Sequence, residues 1–251
     1  MKRRLDAELT SRGLVNTRSQ AESWIKLGRV TVDGKVVTKS GHFVGEASEI
    51  KLDAKEQYVS RAGLKLASVA KLLGLQFKGK TVLDVGSSTG GFTDYSLQNG
   101  AEKVFAVDVG TDQLHPSLRD NTQIELHEKT DIRDFMLELA DRPDIVVIDV
   151  SFISLRDILP HIARYLCKPE TQVVAMVKPQ FEAGKHQTNK GVIKNDGVRR
   201  QILKDFEFWA KDLFVIQDKR DSDVAGAKGN QERFYLLTLN RNSTTSPGRI
   251  T

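Results

Sequence analysis

Lys178 stands where a lysine is poorly hydrated. It follows the apolar run Val173-Val-Ala-Met-Val177 and precedes Pro179, so it closes a buried strand. Partial desolvation there disfavours the ammonium form and makes Lys178 a candidate base. A lysine that snorkels its head out to water is the alternative. Three carboxylates sit at comparable strand ends: Asp84 in Thr81–Val85, Asp108 after Val104-Phe-Ala-Val107, and Asp149 after Ile145-Val-Val-Ile148. Acids in such places orient ligands or assist proton transfer. Asp149 has a second reading as the cap of the following helix, a task that Ser151 or Ser154 can also perform.

The segment Asp84-Val-Gly-Ser-Ser-Thr-Gly-Gly-Phe-Thr-Asp94 passes from strand to helix through a glycine-rich corner. In an open α/β sheet that corner cradles a ligand at the carboxyl end of the first strand. Gly86 and Gly90 permit backbone angles closed to other residues and let a ligand approach the main chain. The spacing is D-x-G-x-x-x-G-G, not the G-x-G-x-x-G of dinucleotide folds. Asp108 is placed to accept both hydroxyls of an adenosine ribose, and no basic neighbour awaits a pyrophosphate. These features favour S-adenosylmethionine over NAD. Asp131, just after the third strand, is placed to accept from an adenine amino group. The candidate cofactor contacts are Asp84, Gly86, Ser87, Thr89, Gly90, Gly91, Phe92, Asp108, Val109 and Asp131. A turn that merely joins two elements is the bland alternative, opposed by the strand before it and the acid after it.

The elements that must position these residues alternate. Strands are expected near 81–85, 103–107, 122–126, 144–149, 172–177, 213–217 and 233–239. Helices are expected near 59–73, 91–99, 111–119, 133–140, 155–166 and 197–210, with Leu64, Val69 and Leu72 of the first packing inward. Pro179 should forbid helix immediately after Lys178. Valine-rich strands alternating with helices imply a parallel sheet covered on both faces. The polar connection 218–232 between the last two strands fits a sheet that ends in a hairpin. The fold expected is α/β: a Rossmann-like, seven-stranded S-adenosylmethionine-dependent methyltransferase domain over 59–240, preceded by a small α+β domain over 1–58. The linker is placed at 53–57, and the polar tail 241–251 is expected to be disordered.

The first 40 residues carry nine Lys or Arg and four acids, an excess of five that equals the net charge of the 251-residue chain. A basic head on a neutral body suits a module that meets phosphates, against the alternative of a merely solvated surface. Leu5 and Leu9 share a helical face within 3–13. Ser19-Gln-Ala-Glu22 has the form of a capping box opening a second helix that ends at Gly28. Val30-Thr-Val32, Asp33-Gly34 and Lys35-Val-Val37 then read as a hairpin on a type I′ turn. Two helices and a hairpin with interspersed basic residues resemble the S4 RNA-binding domain. The candidate RNA contacts are Arg3, Arg4, Arg12, Arg18, Lys26 and Arg29. No apolar run approaches a membrane span, and Lys2-Arg-Arg4 has no apolar region behind it to form a secretory signal. The single cysteine, Cys167, excludes an internal disulfide and a cysteine-rich zinc site. A cytoplasmic protein without a membrane partner is expected.

Five ordered blocks carry a wider resemblance: Val59-Ser-Arg-Ala-Gly-Leu-Lys-Leu66, Asp84–Asp94, Asp149-Val-Ser-Phe-Ile-Ser-Leu155, Val177-Lys-Pro-Gln-Phe-Glu182 and Gly229-Asn-Gln-Glu232. Together they resemble the TlyA (haemolysin A) family of S4-domain ribosomal RNA 2′-O-methyltransferases, whose catalytic domain is FtsJ-like. One departure is Ser87, where the family often carries Ala; a small residue is kept. The resemblance implies methyl transfer from S-adenosylmethionine to a cytidine ribose in 23S or 16S ribosomal RNA, or both, with the short start of the chain favouring the large subunit. It also implies a catalytic Lys65, Asp149, Lys178 and Glu232, with no metal required. Lys65 and Glu232 are locally ordinary and enter only through the resemblance. A haemolytic toxin, a nicotinamide reductase and a non-catalytic ribosome-binding S4 protein are the competing readings. The oligomeric state is left open.

Overall fold

In a computed structural model of the chain, the residues described are 2–15, 18–26, 28–53, 58–183, 191–193, 195–226 and 229–240. The linker residues 54–57 and the tail 241–251 lie outside them, so the expectations for those segments are not addressed. The head runs β1 (Arg3–Arg4), α1 (Leu5–Ser11), α2 (Arg18–Lys26), β2 (Val30–Val32), β3 (Lys35–Val36), β4 (Phe43–Val44) and β5 (Ile50–Leu52). Leu5 and Leu9 of α1 bury against Ala21, Trp24 and Ile25 of α2, the i, i+4 stripe expected of two packed amphipathic helices. The β2–β3 hairpin forms because Asp33 (φ 49°) and Gly34 (φ 77°) both adopt the left-handed conformation of a type I′ turn. Strands β4 and β5 are not apparent in the sequence; they pair antiparallel with β1 and β2. Helix α2 is described from Arg18, and the side chain of Ser19, on which the expected capping box depends, lies outside the described residues.

The larger unit continues with α3 (Arg61–Ala70), β6 (Thr81–Val85), α4 (Gly91–Gln98), β7 (Lys103–Val107), α5 (Pro116–Arg119), β8 (Ile124–His127) and β9 (Ile145–Ile148). It closes with α6 (Leu155–His161), β10 (Gln172–Val177), α7 (Pro179–Glu182), α8 (Asp196–Ala210), β11 (Phe214–Asp221) and β12 (Arg233–Leu239). The seven strands form one sheet in the order β11-β12-β10-β9-β6-β7-β8. Five are parallel, and β12 and β11 are antiparallel at one end, as the sequence leads one to expect. Side chains alternate along each strand. Leu83, Val85, Val146 and Ile148 pack under α6 and α8, whereas Val82, Ile145 and Val147 pack under α3 and α4. The strand order reverses between β6 and β9, which puts the crevice of such a sheet at their carboxyl ends.

Four expectations need correction. The segment 133–140 is not a helix and contains only the start of a 3₁₀ turn at Leu139–Asp141. The Phe135 carbonyl instead accepts from His161 Nε2 at 2.8 Å while the Phe135 ring enters the core. Helix formation near 111–119 is confined to α5, because Pro116 holds His115 in extended backbone and can only begin a helix. The same rule reverses the expectation at Pro179, which opens α7 from the first helical position. Leu72 lies beyond the end of α3 and is 60% exposed. Helix α6 contains Pro160 and passes into a π turn at Ile162–Leu166.

Two residues of the larger unit complete the head's core: Leu64 from α3 and Val224 from the β11–β12 connection. No helix among the described residues is long and apolar enough to cross a membrane.

Candidate active site

The corner after β6 is shaped by close approach. Gly86 (φ 79°) has room for no side chain, since a Cβ there would lie 2.9 Å from the Asp149 carbonyl oxygen. The Asp149 amide donates to the Val85 carbonyl at 3.0 Å, so the ends of β6 and β9 are held side by side. Gly90 and Gly91 serve packing. A Cβ on Gly90 (φ 88°) would strike Leu114 and Leu118, and one on Gly91 would strike Ser60, Ala62 and Gly63. Neither is among the residues that line the two cavities described next, although their neighbours Thr89 and Phe92 line one of them.

Two adjoining cavities open at this corner. The larger, about 370 Å³, is lined by Gly86, Asp108, Val109, Asp131 and the segment Asp149–Ile153. The smaller, about 160 Å³, is lined by Asp84, Ser87, Thr89, Phe92, Asp149, Ser151 and Lys178. Phe92 reaches it while most of its ring packs in the core near Phe234. Asp108 is aimed by two backbone amides: Ser88 N donates to Oδ2 at 2.8 Å and Gly110 N to Oδ1 at 2.7 Å. Asp131 is gripped by Arg133, whose Nε and Nη2 donate to its two oxygens at 3.0 and 2.6 Å. Those bonds hold its carboxyl down at about 2. Any adenine amino group would therefore share an oxygen already bonded to Arg133.

Asp84 is fully buried. Its Oδ2 accepts from the Thr93 hydroxyl at 2.7 Å, and its Oδ1 has no partner among the described residues. Burial, reinforced by the charges of Asp149 and Asp108, pushes its carboxyl up to about 7.

The four residues joined by resemblance form two ion pairs. Lys178 Nζ lies 2.6 Å from Asp149 Oδ1 and donates to Ser151 Oγ at 2.8 Å. Lys65, projecting from α3, has Nζ 2.6 Å from Glu232 Oε2. All four side chains are buried or nearly so. The antiparallel register pairs Val177 with Arg233, so Lys178 and Glu232 occupy facing positions one step past that pair. Sequence distance hides this arrangement; the sheet produces it.

The sequence alone gives two neighbours no role at the site; Ser151 reads there only as a helix cap, a task that Ser154 performs. Ser151 is the second partner of Lys178. Phe152 is 92% exposed, sits at φ 68°, and has its ring 5.2 Å from that of Phe181. A bulky residue in the left-handed region, in the loop that carries Asp149 and Ser151, is uncommon. The only sequence signal was an aromatic residue three positions after the acid that closes the strand.

The head's basic residues divide. Arg12 donates to Glu8 and to the carbonyls of Glu46 and Ser48, tying α1 to a loop. Arg4 and Arg18 both bond the buried carboxylate of Asp6 and leave about half their side chains exposed. Arg3 is exposed near Glu8, and Arg29 is exposed with no charged partner among the described residues. The side chain of Lys26 lies outside the described residues.

Residues 58–240 match the model of the FtsJ-like methyltransferases. The chain belongs to that family. As an FtsJ-like methyltransferase it is an enzyme with S-adenosylmethionine as methyl donor, and residues 3–50 match the S4 domain. A 23S rRNA (cytidine-2′-O)-methyltransferase TlyA of Campylobacter jejuni is 43% identical over 76% of this chain and 75% of the relative. The 16S/23S rRNA (cytidine-2′-O)-methyltransferase TlyA of Mycobacterium tuberculosis is 38% identical over 93% of this chain and 89% of the relative. Among solved structures, a protein from Lactococcus lactis described as a hemolysin superposes with a TM-score of 0.70 at 42% identity, covering 74% of this chain and 90% of that one. The TlyA resemblance and the two-part fold are thus borne out.

The site's chemistry fits the family's cofactor. A buried, unpartnered carboxylate oxygen on Asp84 suits the ammonium of a methionine end. An aimed Asp108 beside the larger cavity suits ribose hydroxyls.

Proposed function

We propose that this FtsJ-like methyltransferase modifies the ribose 2′-hydroxyl of a cytidine in ribosomal RNA, in the cytoplasm. The observation that carries the reading is two buried lysines, each on its own carboxylate: Lys178 and Asp149 line the smaller cavity at the strand ends, and the Lys65–Glu232 pair is brought beside them by the facing positions of Lys178 and Glu232. The naming of the Campylobacter and Mycobacterium relatives supports cytidine and the ribose oxygen.

In this reading Asp84, Asp108 and the Gly86 corner hold S-adenosylmethionine, with Asp131 at its adenine end. Ser87, Thr89 and Phe92 line the methionine side, and Val109 faces the adenosine. Bound there, the cofactor supplies a methyl group activated by its sulfonium. A ribose hydroxyl is a poor nucleophile until its proton leaves. Lys178, once it has released its own proton to solvent, takes that proton at Nζ. Asp149 and Ser151 then stabilise the ammonium so formed. Lys65 offers positive charge to the developing alkoxide and disfavours a second cation nearby; Glu232 keeps Lys65 in place. Phe152 presents an apolar face for stacking by an unpaired base. Residues 1–58 engage the RNA through the exposed Arg3, Arg4, Arg18 and Arg29, with Lys26 as a further candidate, largely by phosphate contact. Arg12 contributes by shaping the head.

The test uses full-length protein, radiolabelled S-adenosylmethionine and ribosomal subunits lacking the modification, with digestion to nucleosides. Label on a cytidine 2′-oxygen is expected. Label on a base would keep the cofactor and overturn the lysine mechanism.

A further inference from the structure

Glu182, the last residue of α7, reaches back to a different element. Its buried carboxylate accepts from the Ser154 hydroxyl at 2.6 Å through Oε2 and from the Leu155 amide at 2.7 Å through Oε1. These two groups begin α6, where Ser154 Oγ in turn accepts from the Arg156 amide at 3.1 Å. The helix start, with its unsatisfied amides, is therefore capped from outside its own chain segment. Among the described residues the nearest cation, Arg156 Nε, is 3.8 Å away, too far for a hydrogen bond, so of these it is the α6 start that bonds the carboxylate.

Two more residues from the same short stretch grip the same loop. Lys178, immediately before α7, meets Asp149 and Ser151, and the Phe181 ring meets Phe152. Residues 178, 181 and 182 thus contact 149, 151, 152, 154 and 155. The loop between β9 and α6 is held along its length. At its centre Phe152 keeps a left-handed backbone, which persists only where surrounding contacts over-determine it.

We infer that Glu182 is a positioning residue: by bracing the start of α6 it fixes the 149–155 loop, so that Phe152 faces the acceptor base while Asp149 and Ser151 face Lys178. This inference rests on the ribose-methylation reading.

Methyl transfer to unmodified ribosomal subunits would be compared for full-length wild type, Glu182→Ala, Glu182→Gln, Phe152→Ala and the Glu182→Ala/Phe152→Ala double variant. Glu182→Ala is expected to lose about 10-fold in kcat/KM for RNA. Glu182→Gln still accepts from the Leu155 amide and can donate to Ser154 Oγ, and should stay within about 2-fold of wild type. The double variant should be no worse than the poorer single variant by more than about 2-fold, because both changes remove one shared contribution. Losses that multiply in the double variant, a fully active Glu182→Ala, or a fully active Phe152→Ala each overturn the inference. If Glu182→Ala does not fold, Phe181→Leu replaces it and should show a smaller loss that again does not multiply with Phe152→Ala. Wild-type protein that labels no ribose defeats the methylation reading itself. Wild type that labels ribose beside an unimpaired Glu182→Ala defeats the brace alone.

Discussion

Lys178 and Asp84 are both buried ionisable groups at one corner, yet their surroundings set them to different tasks. Lys178 has a carboxylate and a hydroxyl to receive the charge it would gain. Lys178→Ala is expected to lower single-turnover transfer by about 10³-fold or more, with cofactor affinity measured by calorimetry changed by less than about 3-fold. Asp84 has no cationic partner among the described residues, and its carboxyl is raised from 3.8 to about 7 by burial first. A group raised in the folded state contributes stability that is complete below its unfolded value and is lost as pH rises through the folded value. Without cofactor, Asp84→Asn should therefore be more stable than wild type at pH 8, on the order of 2–4 kcal/mol, with the difference vanishing near pH 4. Denaturant titrations at the two pH values check this. Cofactor affinity should run the other way, rising in wild type as pH climbs through about 7 and staying flat in Asp84→Asn. A flat wild-type profile would remove Asp84 from the ammonium site.

At the scale of elements, the corner between β6 and α4 works because its backbone comes within touching distance of the end of β9. Gly86→Ala places a methyl 2.9 Å from a carbonyl oxygen and forces a side chain into φ 79°. The strain is about 1–2 kcal/mol before the clash. Cofactor affinity should fall by roughly 10-fold or more while far-ultraviolet circular dichroism is unchanged. An alanine variant with wild-type affinity would mean that the loop can retreat from Asp149. Proline is equally instructive. Pro116 and Pro179 both begin short helices, and only the fixed φ with its missing amide, not the residue's reputation as a breaker, accounts for both.

Across the whole molecule, the head is not an independent bead. Its core includes Leu64 and Val224, and Leu64 is the helix neighbour of Lys65. The β11–β12 connection that carries Val224 leads into Glu232, and the Ser222 amide donates to the Glu232 carbonyl at 3.0 Å. Arg61 adds a bond from Nη2 to the Ala225 carbonyl at 2.8 Å. Head packing thus bears on both partners of the Lys65–Glu232 pair. Leu64→Ala should destabilise the chain by about 2–5 kcal/mol. It should also lower methyl transfer at temperatures well below the melting transition. Calorimetry alongside a rate assay checks both; a lower melting temperature with an unchanged rate would confine Leu64 to stability.

Local pattern alone determined the parallel sheet, the glycine corner, the Asp108 and Lys178 strand ends and the β2–β3 turn. Each is written within five to ten consecutive residues, through alternation, a glycine where φ must be positive, or an acid closing an apolar run. Lys65 and Glu232 are different. Nothing near either residue marks it, and only the motif resemblance brought them forward. The tertiary structure joins them because α3 lies over one face of the sheet and β12 runs back beside β10. The missing helix at 133–140, the engaged Arg12 and Asp131, and the exposed Phe152 share that cause. Each depends on which distant group takes up a carbonyl, a guanidinium or a ring, and that choice is made by packing between segments, which no local spacing encodes.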